Sequence, residues 1–130
     1  MTRSKSGFTM IELLVVTTIM IILTMVGLVS YQSAMRKARN GKRHADLETV
    51  RSALVMFRTD NTGYPDGNFA NMLADLSTYL STSEVEDPKN TGVYVYTYTP
   101  ATCSGGFCRT FELCAYEEPD PGVQFCIRNP

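Results

Sequence analysis

The sequence predicts an α+β fold in which one long N-terminal helix packs on a small antiparallel sheet. Three observations lead to this prediction. An apolar run without a charge covers residues 13–35, a helical pattern of apolar residues continues to about Asp60, and short β-branched or aromatic runs occupy the last third of the chain. The 130 residues leave room for one small domain besides the apolar run. Such a domain has a modest core and is expected to need further stabilisation.

The apolar run, residues 13–35, predicts a membrane-spanning helix. A helix of 23 uncharged residues is about 35 Å long, which is enough to cross a hydrocarbon core of about 30 Å. A short polar stretch with Arg3 and Lys5 precedes the run, as in a secretory signal, but no small-residue cleavage site follows it. The sequence therefore predicts an anchor that stays in the membrane.

Glu12 is the single acidic residue among the first 45 residues. A carboxylate buried in lipid costs about 2–3 kcal/mol on insertion scales, so in the bilayer it needs a partner or a proton. In the first helical turn it would instead lie in the headgroup layer, where the helix dipole favours a negative charge. Residue types and spacing alone leave both interpretations open.

Beyond the apolar run, the helical pattern continues. The apolar residues recur at intervals of three, four and three, which is one face of an amphipathic helix: Leu47, Val50, Leu54 and Phe57. A cluster of turn-forming residues follows Asp60. We therefore predict one continuous helix from just after Gly7 to about Asp60.

The net charge of -1 hides a strong asymmetry. Residues 36–58 carry seven Lys or Arg against two acidic residues, whereas residues 60–130 carry three against ten. Five cations are clustered directly behind the apolar run: Arg36, Lys37, Arg39, Lys42 and Arg43. They have three interpretations: a collar that is solvated or contacts lipid headgroups, which we favour, a surface for acidic residues of another copy, or a DNA-binding patch. Aromatic residues do not alternate with these charges, which disfavours nucleic acid as a partner.

The remainder of the chain predicts a small sheet and one short helix. Apolar residues recur at helical spacing over residues 68–80. The β-branched and aromatic run 93–99 is the clearest strand, with its tyrosines on one face. Residues 109–116 are predicted to pair with it after the tight connection 103–108, and residues 123–127 form the last strand.

All four cysteines lie in the last 28 residues: Cys103, Cys108, Cys114 and Cys126. An even number at one end of a small chain is typical of disulfides formed in an oxidising compartment. We favour disulfides over a zinc site because the spacings lack paired C-x2-C motifs. The pairs Cys103–Cys108 and Cys114–Cys126 fit the predicted strands best, and the other two connectivities stay open.

The sequence has no catalytic constellation. It contains a single histidine, His44, which we interpret as a surface residue, and neither a phosphate-binding loop nor a nucleophile motif. We therefore predict no enzymatic activity and no cofactor. The acidic group Glu117, Glu118 and Asp120 offers oxygen ligands for calcium, but its spacing matches no known loop, and we predict no metal site.

The segment GFTMIELLVV, residues 7–16, resembles the processing signature of the type IV pilins, a family that includes type II secretion pseudopilins and competence pilins. The turn DNTGYP, residues 60–65, resembles the end of the long helix in major pseudopilins. The resemblance implies that a membrane peptidase cleaves between Gly7 and Phe8 and methylates the new amino terminus on Phe8. It also implies that Glu12 pairs with the terminal amine of a neighbouring subunit.

The resemblance further implies a domain organisation and a location. Residues 1–7 would be a leader, residues 8–35 the transmembrane and assembly helix, and residues 36–130 a pilin-like domain that includes the second half of the helix. The chain would be a single-pass inner-membrane protein with its C-terminal domain outside the cytoplasm, and later part of an extracellular or periplasmic filament. Its partners would be other subunits, the prepilin peptidase, an inner-membrane assembly platform and membrane lipid.

The function implied first is that of a pilus subunit, and three alternatives stay open: a type II secretion pseudopilin, a DNA-uptake pilin, and an anchored binding protein that does not polymerise. One feature opposes the implied orientation, because the cations behind the run outnumber those before it and the positive-inside rule would place the C-terminal domain in the cytoplasm. The cysteines and the resemblance favour the opposite side. The run also lacks the proline that many pilins carry there, so Gly27 is the one residue expected to weaken this helix.

Overall fold

The computed structural model describes residues 7–81 and 85–130 and has the predicted α+β fold. Helix α1 (Met10–Asp60) is 51 residues long. It is followed by strand β1 (Tyr64–Pro65), helix α2 (Phe69–Asp75) and strands β2 (Thr97–Ser104), β3 (Phe107–Tyr116) and β4 (Gln124–Arg128). The chain divides into two compact units, one that ends at Met35 and one that spans Arg36–Pro130.

Helix α1 changes character along its length. In its first half, up to Met35, every residue is exposed, and the most apolar 18-residue window has a mean hydropathy of 2.6. This part is long and apolar enough to cross a membrane by length and composition. In its second half, from Arg36 on, one stripe is buried: Arg43, Leu47, Val50, Ala53 and Leu54. The predicted amphipathic face is therefore present, although Phe57 is only partly buried.

Strand β3 is the centre of a four-stranded antiparallel sheet. Strand β2 pairs with one of its edges, while β1 and β4 pair with the other. The β2–β3 hairpin turns at Gly105 and Gly106, whose φ angles are 63° and 85°. A two-residue hairpin turn requires such positive angles, which glycine adopts without steric cost.

The core lies between the second half of α1, helix α2 and the inner face of the sheet. Its members from outside α1 include Tyr64, Met72, Leu76, Phe111, Leu113 and Ile127. Tyr64 is fully buried and meets Phe111 edge-to-face at a centroid distance of 4.6 Å. The hydroxyl of Tyr98 donates to the backbone oxygen of Pro65 at 2.7 Å, which fastens β1 against the sheet.

The strand predicted over residues 93–99 is wrong in its position. Residues 91–94 form a tight turn with Gly92 at a φ of 61°, and β2 begins four residues later than predicted. Tyr96 lies just before the strand and donates its hydroxyl to Asp46 on α1 at 2.8 Å. The β propensity of this run is therefore overridden by a local turn and by tertiary contacts.

Three smaller differences concern element ends. Helix α2 ends at Asp75 rather than near Leu80, because residues 76–79 form turns, although Leu76 and Leu80 are buried as the pattern requires. Strand β1 lies in the segment that we interpreted as a turn only. The last strand, β4, begins and ends one residue later than predicted.

Candidate functional site

The start of α1 carries the residues that the signature singles out. Gly7, Phe8 and Thr9 precede the helix, and Phe8 is 78% exposed. The hydroxyl oxygen of Thr9 accepts a hydrogen bond from the backbone N–H of Glu12 at 3.3 Å. Thr9 thereby acts as the N-cap that fixes where the helix begins. The Gly7–Phe8 peptide bond therefore lies in an exposed, non-helical segment.

Glu12 lies in the first turn of α1 with an exposed side chain. The helix dipole favours a negative charge at this position. Within residues 7–81 and 85–130, no cation lies within ion-pair distance of its carboxylate. Its neighbours along the helix are exposed apolar side chains such as Met10 and Leu13. In an apolar environment such a carboxylate needs a partner or a proton.

Arg43 is the centre of a buried charge network behind the apolar run. Its side chain is fully buried, and its guanidinium donates to both carboxylate oxygens of Asp87 at 2.6 and 2.9 Å. It also donates to Asn40 Oδ1 at 2.6 Å and to Glu118 Oε1 at 3.1 Å. The ring of Tyr94 lies 5.1 Å from the guanidinium carbon, within cation–π range. All three guanidinium nitrogens of Arg43 thus donate inside the fold, in four hydrogen bonds.

Glu118, in the segment between β3 and β4, is the second carboxylate of the network and pairs with Arg39 and Lys89 as well. Arg39 donates to both of its carboxylate oxygens at 2.7 and 2.6 Å, and Lys89 Nζ lies 3.8 Å away. The side chain of Asn40 donates to the backbone oxygen of Glu118 at 2.8 Å and accepts from its backbone N–H at 3.1 Å. Together with the Arg43–Asp87 pair, these contacts connect α1 to two other segments of the same unit. One is the segment between β3 and β4, and the other is the segment that contains Asp87.

The network keeps its members charged at neutral pH. Hydrogen bonds from Arg39 lower the pKa of Glu118 to about 2, although burial acts in the opposite direction. Burial raises the pKa of Asp87, but hydrogen bonds from Arg43 and from the backbone outweigh it, so this pKa lies below its usual value. Hydrogen bonds to Glu118 and Asp87 in turn raise the pKa values of Arg39 and Arg43.

The fold therefore divides the basic cluster into two sets. The favoured interpretation of a solvated or lipid-contacting collar is wrong for Arg39 and Arg43, because carboxylates of the acidic region neutralise both within the chain. The other three cations are exposed: Arg36, Lys37 and Lys42. The collar, the surface for acidic residues of another copy and the DNA-binding patch that the sequence suggested therefore concern only these three cations.

The acidic group considered for calcium is also engaged in protein contacts. Besides Glu118 in the network, Glu117 Oε1 lies 2.6 Å from Nε2 of His44. The imidazole ring of His44 stacks on Phe125 at a centroid distance of 3.8 Å. His44 is half-exposed, as expected, but it contacts the last strand instead of being free in solvent.

The cysteines form two cross-strand disulfides. Cys103 is bonded to Cys108 within the β2–β3 hairpin, and Cys114 to Cys126 between β3 and β4. In both pairs the residues lie directly opposite each other in the sheet register. All four sulfur atoms are used in these bonds, so none is left as a thiolate ligand for the zinc site considered from the spacing.

Sequence reasoning missed two features of these sites. The N-cap could have been found, because Thr9 and Glu12 form the T-x-x-E pattern of a capping box directly before an apolar run. The charge network could be anticipated only as an attraction between a basic and an acidic region. The pairing of Arg43 with Asp87 joins residues 44 positions apart, and no local pattern specifies it.

Comparison with known proteins found two matches, each to part of the chain. The family profile described as the prokaryotic N-terminal methylation motif matches residues 2–28. The type II secretion system core protein G of Pseudomonas aeruginosa is 35% identical over 63 residues, which are 48% of this chain and 44% of that protein. No solved structure shows a significant match. The motif, this similarity over about half of the chain, and a long N-terminal helix on a small antiparallel sheet make the chain similar to the type IV pilins and pseudopilins.

Proposed function

We propose that this chain is a structural subunit of a type IV pilus-like filament that polymerises through the first half of α1. One observation carries the proposal: the apolar side chains on every face of this half-helix are exposed. A helix that is apolar all round must be covered by lipid or by other helices. Before assembly the inner membrane covers it, and in the filament the equivalent helices of other subunits cover it.

Glu12 gives this packing a register. As the single acidic residue of the half-helix, it carries a cost in lipid of about 2–3 kcal/mol unless it finds a counter-charge. The family resemblance supplies one, the methylated amine of Phe8 on a neighbouring subunit. An ion pair of this kind favours one axial offset between two otherwise featureless apolar helices, because other offsets leave both charges unpaired.

Processing after Gly7 tests the family function directly. When the chain is co-expressed with a prepilin peptidase, we expect mass spectrometry to show the loss of seven residues and a methyl group on Phe8. A matched control is Gly7→Val, because a Cβ at Gly7 meets no other atom within the part of the chain that the structure describes, and any loss of cleavage then reflects the peptidase cleft. An uncut, unmethylated wild-type product contradicts the proposal.

Assembly is tested separately through Glu12. Glu12→Ala removes the charge that requires a partner, so the variant is expected to insert into the membrane normally but to be absent from sheared filaments. Glu48→Ala is the control, since Glu48 is an exposed carboxylate of the other unit. Normal incorporation of the Glu12→Ala subunit would refute its role in register.

A second candidate is a pseudopilin of type II secretion, which is favoured by the similarity to a type II secretion system core protein. Both candidates share processing and polymerisation, so the experiments above do not separate them. Expression in a strain that lacks its own core pseudopilin does: restored secretion of hydrolases supports the second candidate. Surface filaments without restored secretion support the first.

The two disulfides favour a C-terminal unit outside the cytoplasm, because disulfides persist in oxidising compartments. Protein isolated from cells is then expected to react with a thiol reagent only after reduction. Immediate modification of all four cysteines would instead place this unit in the cytoplasm, as the positive-inside rule alone suggests.

A further inference from the structure

We propose that Arg36, Lys37 and Lys42 bind the phosphates of anionic lipid headgroups. This binding retains the unassembled subunit preferentially in bilayers that contain anionic lipid. The inference rests on the proposed membrane anchoring and deepens it. An apolar helix alone anchors equally well in neutral and in anionic lipid. A binding site for headgroup phosphate makes the anchor selective.

The fold divides the basic cluster into paired and exposed cations. Arg39 and Arg43 lie on the side of α1 that faces Glu118 and Asp87, and both are paired there. The other three cations are exposed, and within residues 7–81 and 85–130 no carboxylate lies within ion-pair distance of them. Three positive charges therefore remain available for an external anion.

Three acidic groups of the same unit already have partners within the fold. Asp46 on α1 accepts the hydroxyl of Tyr96 at 2.8 Å, and Glu48 lies 3.3 Å from Arg51. Glu117 is held by His44. These three acidic groups thus have contacts of their own, and the exposed cations take a counter-charge from their surroundings.

The exposed cations lie close to the apolar run along the helix axis. Arg36 and Lys37 directly follow the last residue of the uncharged run, and Lys42 lies about 10 Å beyond it at 1.5 Å per residue. The headgroup layer on one side of a bilayer is about 5–8 Å thick. Because helical side chains lean towards the helix N terminus, all three lean back towards the apolar run. Arg36 and Lys37 therefore lie within the phosphate layer and Lys42 at its outer boundary.

This geometry favours lipid over nucleic acid as the anion. The cations form a short collar next to an apolar helix, and the adjoining helix surface offers no alternation of aromatic side chains on which bases could stack. Each cation near an anionic surface favours binding by about fivefold, and the effect decreases with salt because the charges are exposed. Arg36 and Lys37 are expected to contribute more than Lys42.

The test uses the full chain reconstituted in phosphatidylcholine vesicles with a trace of spin-labelled phosphatidylglycerol or spin-labelled phosphatidylcholine. The ratio of protein-associated label measures the preference for the anionic headgroup. We expect a preference of at least about fivefold at low salt, which decreases in high salt. The triple variant R36Q/K37Q/K42Q is expected to lose it, while R36K/K42R, which keeps every charge, retains it.

The matched control is R109Q/R128Q, which removes two exposed cations from the sheet and should leave the preference unchanged. Equal association of both lipids with the wild-type chain overturns the inference. Resistance to alkaline extraction reports anchoring by itself, so a chain that is anchored without preference fails only this inference. Displacement of labelled lipid by millimolar inorganic phosphate or by duplex DNA, beyond the effect of chloride at equal ionic strength, would also overturn it. Displacement by inorganic phosphate would identify free phosphate as the anion that binds these cations, and displacement by DNA would identify nucleic acid.

Discussion

The two halves of α1 belong to one uninterrupted helix, yet they obtain their stability in different ways. In the second half, residues 36–60, one stripe is buried by the sheet and α2, and the opposite face is exposed. In the first half, residues 10–35, the fold covers no face at all. Secondary structure is thus continuous across a boundary at which packing partners change from the chain itself to its surroundings.

This difference teaches where the information for each function lies. The second half is specified by long-range contacts, including a buried ion network that connects it to Asp87 and Glu118. The first half is specified by composition and by one charge, Glu12. Changes in the second half should therefore act on the folding of the Arg36–Pro130 unit, and changes in the first half on insertion and assembly.

The largest effect is expected from Arg43→Ala. Removal of one partner from a buried ion pair leaves the carboxylate of Asp87 uncompensated, which typically costs about 3–5 kcal/mol. We expect this loss in the free energy of unfolding of the full chain in detergent, followed by near-ultraviolet circular dichroism of the buried tyrosines. Lys42→Ala, at the adjacent exposed position, is the control and should change the free energy by less than about 0.5 kcal/mol. A similar result for both variants would show that the network contributes little.

Leu54→Ala and Leu23→Ala test the comparison most directly. Leu54 is fully buried, so its truncation should lower the free energy of unfolding by about 2–5 kcal/mol. Leu23 is 65% exposed on the first half, and its truncation should leave the same unfolding transition unchanged. A loss of stability for Leu23→Ala as large as that for Leu54→Ala would mean that the Arg36–Pro130 unit depends on the first half of α1 for its fold.

Acid should weaken the second half selectively. The pKa of Glu118 is about 2 in the folded chain and about 4.3 in an unfolded one, so between these values the unfolded state binds more protons. The contribution of Glu118 to the free energy of unfolding is therefore complete above about pH 4.5 and is lost as the pH falls towards 2. The loss is at most about 1.4 kcal/mol for each pKa unit by which the folded and unfolded states differ. The lowered pKa of Asp87 acts in the same direction.

The measurement is the unfolding midpoint from pH 7 to pH 2. Glu118→Gln should flatten this profile, whereas Glu48→Gln, which changes an exposed carboxylate, should preserve it. A profile of wild-type slope in the Glu118→Gln variant would assign the acid sensitivity to other groups.

Much of this architecture follows from the sequence because local patterns specify it. Three features depend on residue types that are only a few positions apart in the sequence. They are the end of α1 near Asp60, its buried stripe with Leu47 and Leu54, and the hairpin around Gly105 and Gly106. The same holds for the resemblance around Gly7, whose signature is contiguous. The fold class could therefore be predicted before any coordinates.

The parts that could not be predicted depend on distant contacts. The turn at Gly92 displaced the predicted strand because Tyr96 is held by Asp46, fifty positions earlier. The basic cluster appeared uniform along the sequence, yet Arg43 is buried and Lys42 beside it is exposed. Only the position of Asp87 and Glu118 in the folded chain distinguishes the two.

The smallest effect concerns the two glycines inside α1, one in each half. Among residues 7–81 and 85–130, no atom outside the local helix lies within 4 Å of a Cβ at Gly41 or at Gly27. An alanine at either position should therefore improve the helix by about 1 kcal/mol. For Gly41→Ala we expect this gain in the unfolding of the Arg36–Pro130 unit. For Gly27→Ala we expect no change there, because Gly27 belongs to the first half, whose described residues are all exposed. If the filament requires local loosening of the membrane helix, Gly27→Ala should slow polymerisation while Gly41→Ala does not. Equal assembly rates for both variants would mean that the helix enters the filament without loosening at Gly27.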